Sequence, residues 1–409
     1  MTTPAATRAA PLPTAERSPA PDVARGVALL GIALANSVVH VVGRDLGPSL
    51  RPVDGTTADR VVDALVGLLV DNRSFPLFTL LVAYGTAVVV RRQAERGAPW
   101  PEARRLLVRR SLALLLLGVA HLVLLFEGDI LTSYGFLGLG LVLLVRAPDR
   151  TLVVVGLLAL LPLAALSGLD GLDGGGAAGS ASGVPWDTTS AVGALAERAF
   201  GAVFLVVVGP VFTLLLVSSA VVGLLLARRR VLERPAEHLP LLRRLVVVGL
   251  PVSLVGAVPL VLTSTGVVAL GGLPDYVVGA LHGVTGVAGA VAFAALVALL
   301  VGRRQQAAAR AGTTWRPGGA WWAASAVGRR SLTCYLLQSV VMVPLLAPWG
   351  AGLGVGAGTA RVAAVGVATY ALTVVVAVLL ERAGRRGPAE VLLRWMVYGR
   401  RERAVAAPA

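Results

Sequence analysis

Long apolar runs recur along this chain and restrict its fold more than any other feature. Each run extends for about 20 residues, the length that an α-helix needs to cross the hydrocarbon core of a bilayer. Only 14% of the 409 residues are charged, whereas a soluble domain carries roughly 25%. The pattern predicts an all-α integral membrane protein and excludes a soluble globular chain.

Ten apolar segments predict about ten transmembrane helices. Their expected bounds are 23–42, 61–90, 106–126, 130–145, 152–166, 192–227, 245–263, 276–301, 331–346 and 362–380.

The second segment contains a polar interruption at Asp71, Asn72 and Arg73. These side chains are costly in lipid unless they line a cavity. We therefore expect a short helix over 60–70, a break, and a span over 75–90. The break either shapes a substrate pocket or is a surface turn whose polar groups pair with one another.

The arginines predict the orientation of the helices. All 37 basic residues are arginines, and 31 of them fall on one side if the chain starts in the cytoplasm and the segments alternate. This bias follows the positive-inside rule and predicts that both termini are cytoplasmic. The arginines lie between the apolar runs, so the positive-inside rule explains the net charge of +15. We therefore expect no nucleic-acid partner. The use of arginine without lysine indicates a bacterium with a GC-rich genome, and we expect the plasma membrane as the location.

Composition divides the chain into five parts. They are a disordered cytoplasmic tail over 1–21, a first helix group over 22–168, a flexible extracytoplasmic Gly/Ala/Ser-rich loop over 169–190, a second helix group over 191–383 and a basic cytoplasmic segment over 384–409.

Polar side chains inside the predicted spans are the candidates for function, because such groups are costly in lipid and usually face a bundle interior. The first span carries Arg25, Asn36 and His40, and the last two share one helical face. One possibility is that the three residues form a polar column across the membrane. The alternative is that Arg25 anchors the topology, Asn36 makes a helix-packing contact and His40 lies at the membrane interface.

A short external turn joins the third and fourth segments and brings His121, Glu127 and Asp129 close together. An imidazole beside a carboxylate can act as a general base, and either Asp129 or Glu127 could orient the ring. The alternative is a packing histidine with a pair of interfacial carboxylates.

The eighth and ninth segments hold the remaining polar candidates. His282 shares a face with Asp275 in the eighth segment, and Tyr335 and Gln338 belong to a polar stripe in the ninth. The stripe contacts either a substrate or a neighbouring helix. Motifs for phosphate loops, zinc hydrolases and nucleophile elbows are missing from the sequence, so we expect no metal and no ATP-driven transport.

Four blocks of the sequence resemble the YeiB-type family, bacterial membrane proteins that contain a domain of unknown function. The blocks are 22–36, 121–134, 328–339 and 387–398. That family is distantly similar to transmembrane acyltransferases, including the heparan-alpha-glucosaminide N-acetyltransferases, whose first helix also reads Arg-Gly followed by Asn. The resemblance matches Arg25 and Asn36 to that helix.

The resemblance implies an acyltransferase that passes an acyl group from cytosolic acyl-CoA, as co-substrate, to an extracytoplasmic acceptor. The acceptor would be a carbohydrate, a lipid or a small molecule. A related acyltransferase group has histidine where this chain has Asn36, so the catalytic imidazole would be His121, with His40 and His282 as other candidates.

Under this hypothesis Arg25, Arg329 and Arg330 hold the CoA phosphates, and the thioester passes between the helices near Asn36. The alternative function is a transporter or exporter of a small amphipathic solute, with the same polar residues lining its path.

Overall fold

The computed structural model describes residues 18–172 and 188–399, and this part of the chain is predominantly helical. The predicted tail over 1–21, loop over 169–190 and basic segment over 384–409 lie partly outside the described residues.

The helices are numbered here in chain order. They are α1 (Ala20–Val38), α2 (Thr57–Leu69), α3 (Ser74–Glu95), α4 (Trp100–Leu124), α5 (Leu131–Leu144), α6 (Asp149–Leu158), α7 (Leu160–Ser167), α8 (Ala191–Phe212), α9 (Leu214–Arg228), α10 (Leu239–Ser264), α11 (Leu273–Arg310), α12 (Gly319–Arg329), α13 (Ser331–Leu346), α14 (Thr359–Arg382) and α15 (Pro388–Tyr398).

Seven helical stretches among the described residues are long and apolar enough to cross a membrane. Three shorter apolar helices, α5, α9 and α13, accompany them. The expectation of a multi-pass helical membrane protein is therefore confirmed. The count of ten spans and the cytoplasmic placement of both termini stay predictions.

The break expected in the second apolar segment is present between α2 and α3. Thr56 starts α2 with a capping box, in which its side chain accepts from the N–H of Asp59 while Asp59 accepts from the N–H of Thr56. Helix α2 ends at Leu69, and Asn72 adopts a left-handed conformation with φ of 53° before α3 begins, a conformation that asparagine tolerates better than most residues.

The sixth apolar segment, predicted to be continuous over 192–227, is two helices. Helix α8 ends at Phe212 and α9 begins at Leu214. Pro210 lies in the last turn of α8 and lacks the backbone N–H that would continue the hydrogen-bond ladder. Helix α8 packs on α4 and α5, whereas α9 packs mainly on α3. The prediction of one continuous helix was wrong, because an apolar pattern looks the same in one helix and in two consecutive helices.

Helix α1 lies at the centre of the bundle, against α3, α12 and α14. Two glycines let its backbone touch that of α12. A Cβ on Gly26 would lie 2.0 Å from the carbonyl oxygen of Ala324, and a Cβ on Gly328 would lie 1.7 Å from that of Asp22. Small residues of this kind allow close helix packing in membranes, and here they hold Arg25 and Arg329 on neighbouring helix ends.

We expect Gly328→Ala to destabilise the protein, because its new methyl group would overlap the backbone of α1. Overpacking of this kind costs about 1–3 kcal/mol. Gly140→Ala in α5 is the matched control, since a Cβ there meets nothing within 4 Å. Thermal unfolding in detergent checks both variants, and equal midpoints would contradict the close contact between α1 and α12.

Candidate functional site

A buried chain of three polar side chains links α4, α5 and α13. The Nδ1 atom of His121 lies 2.7 Å from Oδ1 of Asp129, and its Nε2 atom lies 2.8 Å from Oγ of Ser339. The second oxygen of Asp129 accepts from the backbone N–H of Thr132 at 2.7 Å. A carboxylate only accepts hydrogen bonds, so Nδ1 of the ring carries a proton. In the neutral ring, Nε2 is then free to accept from the hydroxyl of Ser339.

The close approach of α4 and α5 makes this chain possible. Gly118 lies one turn before His121 on α4, and a Cβ at this position would fall 2.2 Å from the backbone nitrogen of Thr132 and 2.8 Å from Oδ2 of Asp129. Glycine therefore leaves the space in which Asp129 reaches both the imidazole and the first turn of α5.

Aromatic rings enclose His121 on two sides. The ring of Tyr335, on α13, lies 5.1 Å from the imidazole between centroids, and its hydroxyl accepts from the backbone N–H of Ile130 at 3.3 Å. Phe126 lies 6.4 Å away, and the ring of His40 lies 5.7 Å from Phe126. Only about 3% of the surface of His121 is exposed, so the site is shielded from bulk solvent.

A cavity of about 390 Å³ leads from the arginine-bearing helix ends towards this site. Tyr335 lines it together with Ile130, Leu131 and Tyr134, from the start of α5 and the residue before it. Because His121 lies eleven residues after Arg110 on α4, the imidazole is about 16 Å further along that helix. The volume lies in the range of small-molecule sites, about 300–1,000 Å³.

The other end of the cavity is charged. Its lining there includes Arg25, Arg92, Arg110, Arg329, Glu233 and Glu390. The guanidinium of Arg25 donates to the carbonyl oxygen of Leu81 at 3.0 Å and contacts Asp22 at 3.2 Å. These contacts fix the guanidinium at the edge of the cavity. We call this end the basic mouth.

A second depression, of about 350 Å³, adjoins the basic mouth and shares Arg92 and Glu233 with it. Its remaining lining residues are Arg91, Glu95, Arg96, Arg230 and Arg234. Arginines thus outnumber carboxylates in both hollows. We call this second hollow the arginine depression.

Several predicted site residues have a different setting. Arg330 is buried, pairs with Glu381 at 2.6 Å and donates to the carbonyl oxygen of Arg385, so its guanidinium holds α13 to α14. Gln338 donates to the carbonyl oxygen of Leu29 at 3.1 Å, which joins α13 to α1. Asn36 is buried on α1 and lies outside the lining of both hollows.

The two carboxylates of the short turn differ in their roles. Asp129 bonds to the imidazole, whereas Glu127 lies half-buried between α4 and α5. Burial raises the pKa of Glu127, and the nearby charge of Arg198 opposes that rise.

His282 belongs to a separate buried cluster at the break between α2 and α3. The guanidinium of Arg73 donates to Nε2 of His282 at 2.8 Å and to Oγ of Ser253 at 2.9 Å. Arg51 contacts Asp71 at 2.5 Å. The side chains of the break therefore pair in the interior with residues of other elements, and they line neither hollow.

Ser339 and Glu390 were missed by the sequence reasoning. Ser339 lies four residues after Tyr335, on the same helical face, and that spacing was the available signal. Glu390 accepts from the N–H groups of Leu332 and Thr333, at 2.8 and 3.2 Å, and so caps the start of α13. No motif or spacing signals this contact between residues 57 positions apart.

Comparison with known proteins yields matches of undetermined function. Residues 226–400 match the family described as "Protein of unknown function (DUF418)". The uncharacterized protein YxaH of Bacillus subtilis (strain 168) is 32% identical over 150 residues, which are 35% of this chain and 36% of that protein. The uncharacterized protein YeiB of Escherichia coli (strain K12) is 33% identical over 127 residues, 30% of each chain.

These matches confirm the predicted resemblance to YeiB-type proteins. The chain spans about a third of the length of the curated relatives it matches. The DUF418 match includes Arg329, Tyr335, Ser339 and Glu390, whereas His121 precedes it.

We expect Asp129→Ala to destabilise the protein strongly. It removes the acceptor of two buried donors, and each buried donor left without a partner costs about 1–3 kcal/mol. Glu127→Ala, in the same turn, is the matched control and should have a much smaller effect. Thermal unfolding in detergent separates the two variants. Equal losses would show that the pairing of Asp129 with His121 does not determine the stability of this turn.

Proposed function

We propose that this chain, whose residues 226–400 match the DUF418 family of unknown function, is an acyl-CoA-dependent acyltransferase of the plasma membrane. The donor enters at the basic mouth from the cytosol, and the acceptor approaches His121 from the extracytoplasmic side. The observation that carries the proposal is one cavity with arginines at its mouth and a paired, buried imidazole beyond its inner end.

The shape and charge of the two hollows suit the parts of acyl-CoA. Guanidinium groups bind phosphate oxygens with charge-assisted hydrogen bonds. The arginine depression carries Arg96, Arg230 and Arg234 beside the shared Arg92, and phosphates would compete with Glu95 and Glu237 for Arg230 and Arg234. The inner lining of the cavity is mostly apolar, with Phe78, Val82 and Leu131. The nucleotide phosphates would occupy the arginine depression, and the pantetheine arm would extend down the cavity with the thioester foremost.

His121 supplies the base. With its Nδ1 proton held by Asp129, the imidazole would take at Nε2 the proton of an acceptor hydroxyl or amine that displaces the hydroxyl of Ser339. Tyr335 lines the cavity and its ring lies against the imidazole, so this ring must turn aside for the acyl carbon to approach His121. The burial of the site keeps water away from the thioester and limits its hydrolysis.

A second candidate function, transport of a small amphipathic solute, is favoured by the cluster around Arg73 and His282. Buried ionisable groups in a membrane helix bundle often mark a solute or proton path. Transport requires no chemical change, so the release of free CoA separates the two functions.

We expect acyl-CoA to stabilise the purified protein against heat. A ligand present at about 100 times its Kd adds roughly 2.7 kcal/mol. Arg92→Ala should lose most of the shift, because Arg92 lines both hollows, whereas Arg105→Ala, an exposed arginine of α4 outside both linings, should retain it. Equal shifts in the two variants, or none in folded wild-type protein, would count against this donor site.

We expect His121→Gln to lose acyl transfer while it retains the thermal shift with acyl-CoA. Loss of a general base lowers the rate by about 10²–10⁴-fold. His238→Gln, at the start of α10, is the matched control and should transfer normally. The assay measures free CoA released in the presence of glucosamine and glycerol as small amine and hydroxyl acceptors. Undiminished release by His121→Gln would remove the imidazole from the mechanism.

A further inference from the structure

The hydroxyl of Ser339 does not make the hydrogen bond within its own helix that serines in apolar helices usually make. Such a serine commonly donates to the carbonyl oxygen four residues earlier. Ser111 and Thr86 do so here, with Leu107 at 2.9 Å and Val82 at 3.0 Å. The hydrogen bond of Ser339 goes instead across to α4, to Nε2 of His121.

The three groups of the buried chain stand in the order that activates a nucleophile. A carboxylate holds the imidazole at Nδ1, and the imidazole faces a hydroxyl at Nε2, with distances of 2.7 and 2.8 Å. Such an arrangement of hydroxyl, base and orienting group increases the reactivity of a serine, whatever the fold that presents it.

The hydrogen-bonded side chains of Asp129, His121 and Ser339 lie where an acyl group could arrive from one side and leave towards the other. Tyr335 lies on the cavity side and is one helical turn before Ser339. The rings of Phe126 and His40 cover the side of His121 that faces the turn between α4 and α5. An acyl group on Ser339 would lie between the donor cavity and the loops at the opposite ends of the helices.

Building on the proposed acyltransferase function, we infer that Ser339 carries the acyl group as a covalent ester between donor and acceptor. In the first half-reaction, His121 takes the proton of Ser339 Oγ, Oγ bonds to the thioester carbonyl carbon, and the carbon–sulfur bond breaks. The CoA sulfur leaves with the proton from His121.

In the second half-reaction, an acceptor hydroxyl or amine gives its proton to His121 and bonds to the ester carbonyl carbon. The bond from carbon to Oγ breaks, and Ser339 regains the proton. The bulky CoA can thus leave at the basic mouth before the acceptor binds, so the two substrates never have to meet in one cavity.

The test begins with detergent-purified wild-type protein, acetyl-CoA and butyryl-CoA, and no acceptor. We expect a burst of about one free CoA per protein chain and a mass increase of one acyl group, which peptide mapping assigns to Ser339. With glucosamine or glycerol added, initial rates should follow ping-pong kinetics.

Three serine variants complete the test. Ser339→Ala should lose the label and slow transfer by about a hundredfold or more. Ser339→Cys should form a thioester that hydroxylamine cleaves. A label on this variant would show that Ser339→Ala does not lose its label merely because a change at this position unfolds the protein. Ser111→Ala, a buried serine bonded within its own helix, is the control and should label normally.

The possible failures are distinguishable. Transfer by wild-type protein without a label, a label on another residue, or normal transfer by Ser339→Ala would overturn the covalent step and leave the acyltransferase proposal standing. Folded wild-type protein that neither binds nor cleaves any acyl-CoA would overturn both proposals.

Discussion

The carboxylate of Asp129 makes two hydrogen bonds on which the buried centre of this protein depends. One oxygen accepts from the imidazole of His121 and the other from the first turn of α5. Water offers no substitute for either bond, because the side chains of Asp129 and His121 are buried in the protein. The same carboxylate therefore fixes the angle between α4 and α5 and the orientation of the imidazole. Folding and the geometry of the site are coupled through one side chain.

The arginines separate into two groups by their burial. Arg330 and Arg73 are buried and are held by carboxylates, carbonyl oxygens or side-chain acceptors of neighbouring helices. Loss of these partners would leave a buried charge unpaired, which is strongly destabilising. Arg230 and Arg234 line the arginine depression and are more exposed, and they contact Glu95 at 2.8 Å and Glu237 at 3.5 Å. The depression keeps an excess of positive charge, because five arginines line it together with two glutamates.

The sequence could predict those parts of the structure that local chemistry decides. The interruption at Asp71, Asn72 and Arg73 predicted the break between α2 and α3, because three polar groups in a row cannot continue a lipid-facing helix. The short turn before α5 predicted that His121 and Asp129 lie close together. The division between α8 and α9 was missed, because the apolar pattern is the same in one helix and in two.

A single amino-acid sequence does not show which distant helices contact one another. Periodicity gives the face on which Tyr335 and Ser339 lie, but it does not say which helix that face meets. The partnership of Ser339 with His121, 218 residues away, exists only because several helices pack together, and the same is true of the cap that Glu390 provides. Site residues that act through tertiary contacts need the structure for their assignment.

Under the proposed function, the arrangement of the helices favours a carrier over a direct encounter of two substrates. Acyl-CoA would reach the site through the cavity, whose inner end is lined by Tyr335 and the start of α5. An acceptor from the opposite side would meet the rings of Phe126 and His40 first. A direct transfer would require both paths to be open together, which would expose the buried imidazole and its carboxylate to water. A covalent intermediate would allow each path to open in turn, so that the centre would stay dry and hydrogen-bonded at every step.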